Sequence, residues 1–176
     1  MFRTATILAG AIALAACQPK TMSGDAPPAA GRTATATLMT AAGKKVGMVT
    51  VSETAGGLHI VVKANDLPPG LHGLHLHTVG KCEAPDFASA GPHWNPTGMK
   101  HGSKNPMGPH EGDLPNIMIG ADGKGMIAAD IPGASFAGLL DADGAAMVLH
   151  AATDDLMTDP SGNSGARLAC GVLVAR

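Results

Sequence analysis

The stretch Gly70-Leu-His-Gly-Leu-His-Leu-His77 decides how this chain is read. Its alternation has the period of an extended strand, whose successive side chains leave on opposite faces. His75 and His77 therefore share one face and form a ready two-nitrogen clamp, whereas His72 has the other parity and is expected to hydrogen-bond an adjacent loop. Period-two segments recur at Thr33 to Thr40, Lys45 to Glu53, Leu58 to Ala64, Leu71 to Thr78, Pro115 to Gly120, Lys124 to Ile131, Ala146 to Ala151 and Leu168 to Ala175. Within the third, His59 is out of phase with Leu58, Ile60 and Val62 and should face solvent. Eight short strands, with 24 Gly and 13 Pro to turn the chain, predict an all-β sandwich or barrel. The Asp-Gly pairs at Asp122-Gly123 and Asp143-Gly144 predict tight hairpins.

The 176 residues suit one domain. A formal charge of -2 gives no basic field for phosphates and argues against nucleic acid as a partner. Arg3, the apolar run Ala5 to Ala16 and then Leu14-Ala-Ala-Cys17 read as an export signal with a lipoprotein cleavage site, too short to span a bilayer as a permanent helix. The expected organisation is a signal peptide over 1–16, a flexible Pro-containing tether over 17–31 carrying a lipidated Cys17, and a globular domain over 32–176. Cys82 and Cys170 are then the remaining pair in an oxidising compartment, which predicts one disulfide.

Two segments fit no strand, Gly80 to Leu114 and Asp154 to Gly165, and both exceed ordinary connections. The first contains His93, His101, His110 and Asp113, and His150 closes the seventh strand. Three imidazoles with a carboxylate suit tetrahedral zinc, and four imidazoles suit copper(II). Six His and one Asp meet both demands only if one imidazole is shared, with an ion on each ring nitrogen. Met99 and Met107 add thioethers that suit copper(I), although methionine more often fills irregular cores.

With Gly91-Pro-His-Trp-Asn-Pro96, His110-Glu-Gly-Asp-Leu114, Leu149-His150 and Gly162-Asn-Ser-Gly-Ala-Arg-Leu-Ala-Cys-Gly171 following the Gly70 to His77 strand in order, the chain from Arg32 to Arg176 resembles the bacterial copper/zinc superoxide dismutases. The resemblance implies an eight-stranded Greek-key barrel with the metals outside it, beneath two long loops. It implies copper on His75, His77, His93 and His150, zinc on His93, His101, His110 and Asp113, and His93 as the shared ring. Asp154 matches a carboxylate linking a ligand of each metal, Arg167 an arginine that guides the anionic substrate, and Cys82 with Cys170 the family disulfide. The implied reaction converts superoxide to dioxygen and hydrogen peroxide by a copper ion cycling between two oxidation states, with His93 and Arg167 as catalytic residues.

Between Asp155 and Arg167 the loop is short, with Asp159 and no Lys, where many relatives carry a longer charged segment; guidance is expected to rest mainly on Arg167. A copper/zinc buffer or metallochaperone is the alternative reading. A serine hydrolase around Ser164 lacks an independent His/Asp pair to activate it. The expected setting is the periplasm, with the lipid on the outer membrane, and the expected assembly is a monomer or homodimer.

Overall fold

The computed structural model describes residues 31–176, together with Met1. The expected signal peptide, Cys17 and the tether up to residue 30 lie outside the described residues. The strands are β1 Thr33–Thr40, β2 Lys45–Thr54, β3 Gly57–Ala64, β4 Gly70–His77, β5 Asp113–Ile119, β6 Gly125–Pro132, β7 Ala146–His150, β8 Arg167–Val172 and β9 Val174–Ala175. They form one antiparallel sheet in the order β5-β4-β7-β8-β1-β2-β3-β6, with β9 beside β1. The two ends of this order, β5 and β6, are joined by a tight turn in which Gly120 N donates to Lys124 O at 2.8 Å. The sheet thus curls into a nearly closed barrel with two crossing connections, β3 to β4 and β6 to β7, in keeping with the Greek-key barrel that the resemblance implies.

Two expectations are corrected. The last predicted strand is two, because it breaks at Leu173, which is buried and donates its N–H to Ala145 O at 2.9 Å. Asp141 to Gly144 is a turn, with Gly144 N on Asp141 O, but not a hairpin: it follows a single helical turn, α1 (Phe136–Leu139), and leads into β7. That turn is started by Ser135, whose Oγ accepts from Gly138 N at 2.8 Å, and held by the buried Phe136 and Leu139. Four residues are too few to display helical periodicity.

The inward faces of the strands supply the core, including Leu38, Val49, Ile60, Leu74, Ile117 and Leu149. Burying each such side chain contributes about 1.5–3 kcal/mol. On β4 this inner packing fixes Leu74 and Leu76, and the strand's alternation then turns His75 and His77 outward. Yet β4 is buried continuously from His72 to His77, because residues 78–112 and 151–166 fold over the outer wall. The Cys82–Cys170 disulfide is formed and ties the first of these coverings to β8 across 88 residues. In the chain-entropy account a closure of that span is worth about 4–5 kcal/mol.

Candidate metal centre

Registration of rigid strands delivers much of the histidine cluster. His75 on β4 lies opposite Asp113 on β5, His77 forms an isolated bridge with His93, and His150 at the end of β7 lies opposite Arg167 on β8. The first covering segment adds His101 and His110, and the second adds Asp154. Two groups of donor atoms lie within 4.8 Å of one another: His75, His77, His93 and His150, and His75, His93, His101 and Asp113.

In the first group each ring is steered by one nitrogen and left free at the other. His75 Nε2 donates to Asp154 Oδ2 at 2.7 Å, His77 Nδ1 to Gly91 O at 2.8 Å, and His150 Nδ1 to Gly165 O at 3.2 Å. Their opposite nitrogens, His75 Nδ1, His77 Nε2 and His150 Nε2, are buried and have no hydrogen-bond partner among the described residues. Unpaired buried polar atoms are costly, and three convergent imidazole lone pairs are what a transition metal takes. Outer hydrogen bonds of this kind set ring orientation and leave the inner nitrogen basic.

The second group closes on one oxygen. Asp113 Oδ1 lies 2.9 Å from His93 Nδ1, 3.1 Å from His101 Nδ1 and 3.1 Å from His110 Nδ1. The His101 contact is close but not aligned as a hydrogen bond, and its Nε2 donates to Asp154 Oδ1 at 3.0 Å. His110 reaches the cluster only through this carboxylate, its ring centroid standing 5.5 Å from those of His93 and His101. Three imidazole nitrogens about one carboxylate oxygen form a site that calls for a cation, and the donor set suits zinc.

His93 joins the two groups. Its Nδ1 faces Asp113, leaving its other nitrogen for the His75, His77 and His150 side, and its ring stacks on that of His75 at a centroid distance of 3.9 Å. His75 falls in both groups by proximity, but with Nε2 held by Asp154 it keeps a single nitrogen for an ion.

Protonation divides the cluster. Burial pushes His77 down to about 2; burial with the neighbouring His75 pushes His150 to about 3. Burial also lowers His75, and it takes His93 to about 4 against the pull of Asp113. At neutral pH these rings therefore carry free lone pairs. At His101 burial acts downward too, but the charges of Asp113 and Asp154 beside its two nitrogens, and the hydrogen bond to Asp154, prevail and hold it at about 9. Burial alone would raise Asp113 and Asp154, yet the His101 cation close to both, with a hydrogen bond from His93 to Asp113 and from His101 and His75 to Asp154, keeps both carboxyls well below the usual carboxylate range.

Asp154 is the joint between the groups, and its surroundings are built tightly. Asn116 on β5 grips its backbone twice, Nδ2 donating to Asp154 O and Oδ1 accepting from Asp154 N, both at 2.8 Å. At Gly162, in the left-handed region with φ 63°, a Cβ would collide with Asp154 Oδ1. Gly73, which faces the extra residue of a bulge in β5, would bring a Cβ to 2.8 Å from that of Ser164.

Arg167 stands beside the first group. Its Nη2 donates to Gly91 O at 2.9 Å, the carbonyl that also receives His77, and its Nη1 to Phe87 O at 2.6 Å. Its charge contributes to the low proton affinity of His77 and His150. His72 holds the barrel as expected, between His150 O at 2.8 Å and Pro68 O at 2.9 Å. His59 is on the outer surface, paired with Asp130 at 2.6 Å. Ser164 is buried with no partner for its hydroxyl among the described residues, which removes it as an exposed nucleophile. Sequence reasoning missed Asn116 and the work of Asp159, whose carboxylate accepts from His101 N at 2.9 Å and Lys100 Nζ at 3.0 Å. Asn116 stands three residues from Asp113, a spacing that an unbroken strand sends to opposite faces, so alternation alone points to no shared partner for them.

Comparison with known proteins agrees with this geometry. Residues 45–173 match the family model described as copper/zinc superoxide dismutase. A superoxide dismutase-like protein of Bacillus subtilis is 46% identical over 139 residues, covering 75% of this chain and 71% of that protein. A copper/zinc superoxide dismutase of Caulobacter vibrioides is 43% identical over 147 residues, covering 80% of this chain and 84% of that protein. The crystal structure of a dismutase-like protein from B. subtilis superposes with a TM-score of 0.75 at 44% identity, covering 80% of this chain and 97% of that one. A barrel wall of outward histidines, closed over by two loops and matched along most of its length, places this chain in the copper/zinc superoxide dismutase family.

Proposed function

We propose that the chain disproportionates superoxide in the bacterial cell envelope, holding copper on His75, His77, His93 and His150 and zinc on His93, His101, His110 and Asp113. When bound, copper supplies a one-electron couple that turns superoxide into dioxygen and hydrogen peroxide, and zinc supplies a redox-silent charge. The residues do the rest. Gly91 O, Gly165 O and Asp154 hold the outer nitrogens of His77, His150 and His75 and aim the inner ones. The His93 nitrogen not engaged by Asp113 is the atom at which a proton can be held for the reduced product. Arg167, clamped by two carbonyls, keeps a fixed positive charge where the anion must arrive, concentrating it and raising the on-rate.

The observation that carries this reading is the set of buried inner nitrogens of His75, His77 and His150 left without partners among the described residues while the outer nitrogen of each is bonded. A metal buffer needs the donors but has no use for a cation held on the carbonyl that also orients His77. The export signal and Cys17 support a lipid-anchored protein facing the periplasm, and the Cys82–Cys170 disulfide fits an oxidising compartment.

The test is superoxide consumption by the copper- and zinc-loaded protein against a chelator-stripped control. Loaded protein should turn over and stripped protein should not; both metals bound without turnover would make it a buffer. In the same assay Arg167→Ala should lower the rate by about 10-fold or more and flatten its fall with ionic strength. A full rate with unchanged salt dependence would remove Arg167 from substrate guidance.

A further inference from the structure

We propose a separate copper(I) site of thioether ligands, Met99, Met107 and Met157, at the seam where the two covering loops meet. It rests on the copper assignment above and concerns how the ion reaches the centre. Methionine ordinarily fills cores, and Met147 does so here; Met99, Met107 and Met157 are 40%, 61% and 45% exposed. Met48, Met118 and Met126 on the strands are exposed as well, and what distinguishes the three is that the covering loops bring them to one seam.

These residues are far apart in sequence, and the fold stitches them together. Lys100 N donates to Met107 O at 2.8 Å, bringing Met99 and Met107 onto adjacent backbones. Asn105 joins Met107 to Met157, its Oδ1 accepting from Met107 N at 3.0 Å and its Nδ2 donating to Met157 O at 3.1 Å. Lys104 N on Leu156 O at 2.9 Å and the Asp159 carboxylate on Lys100 Nζ at 3.0 Å fix the same seam. The latter pair also offsets the lysine charge that would repel a cation.

Thioethers are soft donors that select copper(I) over zinc and over copper(II). With three rotatable bonds each, side chains on so closely tied a backbone can close on one ion and open again, which suits capture and release. Met99 also lines a cavity of about 560 Å³ together with His93 and His110. The seam thus opens, through Met99, onto the shared ring His93 and onto His110. The ion moves as copper(I) throughout, exchanging thioether for imidazole donors with no electron transferred.

The test is anaerobic titration of the copper- and zinc-loaded protein with copper(I) against a chromogenic copper(I) chelator. One additional equivalent per chain is expected, with sulfur scattering around it in X-ray absorption. A Met99→Leu/Met107→Leu/Met157→Leu variant should weaken that equivalent by at least about 10-fold, on the scale of losing ligand support. Met118→Leu/Met126→Leu, which alters exposed methionines of β5 and β6, should leave it intact. The triple variant should keep its dismutase rate once loaded, yet take copper more slowly into its zinc-only form. No additional equivalent, or one that the triple variant retains in full, overturns the site. Because the extra ion is counted on a filled centre, that failure leaves the dismutase reading untouched, and absence of turnover leaves the count valid.

Discussion

Replacing His150 with Ala is expected to abolish superoxide consumption while zinc stays bound. His150 belongs to one side of the cluster only: its Nδ1 rests on Gly165 O, its Nε2 points inward without a partner, and it touches neither Asp113 nor Asp154 by a hydrogen bond. Removing it takes one of the four donors proposed for copper and leaves His93, His101, His110 and Asp113 as they are. Partners that merely orient a ligand are worth about 10- to 100-fold in metal affinity, so a donor itself should cost more than about 100-fold. His75→Ala provides the contrast. That ring is tied through Asp154 to His101, so its loss should weaken zinc as well. Metal analysis after dialysis against a competing chelator separates the two: about one zinc per chain for His150→Ala and less for His75→Ala, with copper lost from both. Undiminished activity in His150→Ala would refute the assignment of copper to this group.

Much of this site is legible in the sequence because strands translate spacing into direction. The parity of His75 and His77 against His72 needs only a period of two, and the structure gives the first pair to the cluster and the third to carbonyls on the barrel side. The cysteine pair follows from compartment and count. What the sequence hides is what the backbone does. Gly91 O and Gly165 O orient His77 and His150, and a carbonyl carries no residue-type signal. Asn116 reads as an ordinary strand residue until the second covering loop brings Asp154 to it. The break at Leu173 and the single turn of α1 escape for the same reason: each is decided by packing of one or two side chains, below the length at which periodicity appears.

The methionine seam shows the same limit from another direction. Met99 and Met107 are near in sequence, but Met157 joins them only because Asn105 and Lys104 bond across to the second loop. No local pattern could place it there, whereas the loops must meet for Asp154 to reach His101. The contact that completes the metal centre thus also assembles the surface beside it.

Asp154→Asn should be the most damaging change outside the ligands, because one carboxylate serves both groups. Its Oδ2 accepts from His75 and its Oδ1 from His101, and Leu156 N adds a third bond at 2.7 Å to Oδ1. Asparagine offers a single oxygen, so one of the two rings must face an amide N–H with its own N–H; that ring turns or loses its bond, and a buried donor is stranded. Zinc affinity should fall by about 10- to 100-fold. The stripped protein supplies a second readout through pH. His101 is held at about 9 when folded, above the ordinary imidazole near 6.5, so its contribution to stability is complete below about 6.5 and is lost as pH rises through 9. Wild-type apoprotein should therefore lose resistance to denaturant between about pH 6.5 and 9. Asp154→Asn, with one of the two carboxylates that raise His101 removed, should start less stable and change less over the same interval. Denaturant midpoints for both apoproteins at the two ends of that range decide the matter: parallel losses would mean that Asp154 does not hold the His101 proton, and zinc retained at wild-type affinity would mean that the brace is not what orients the site.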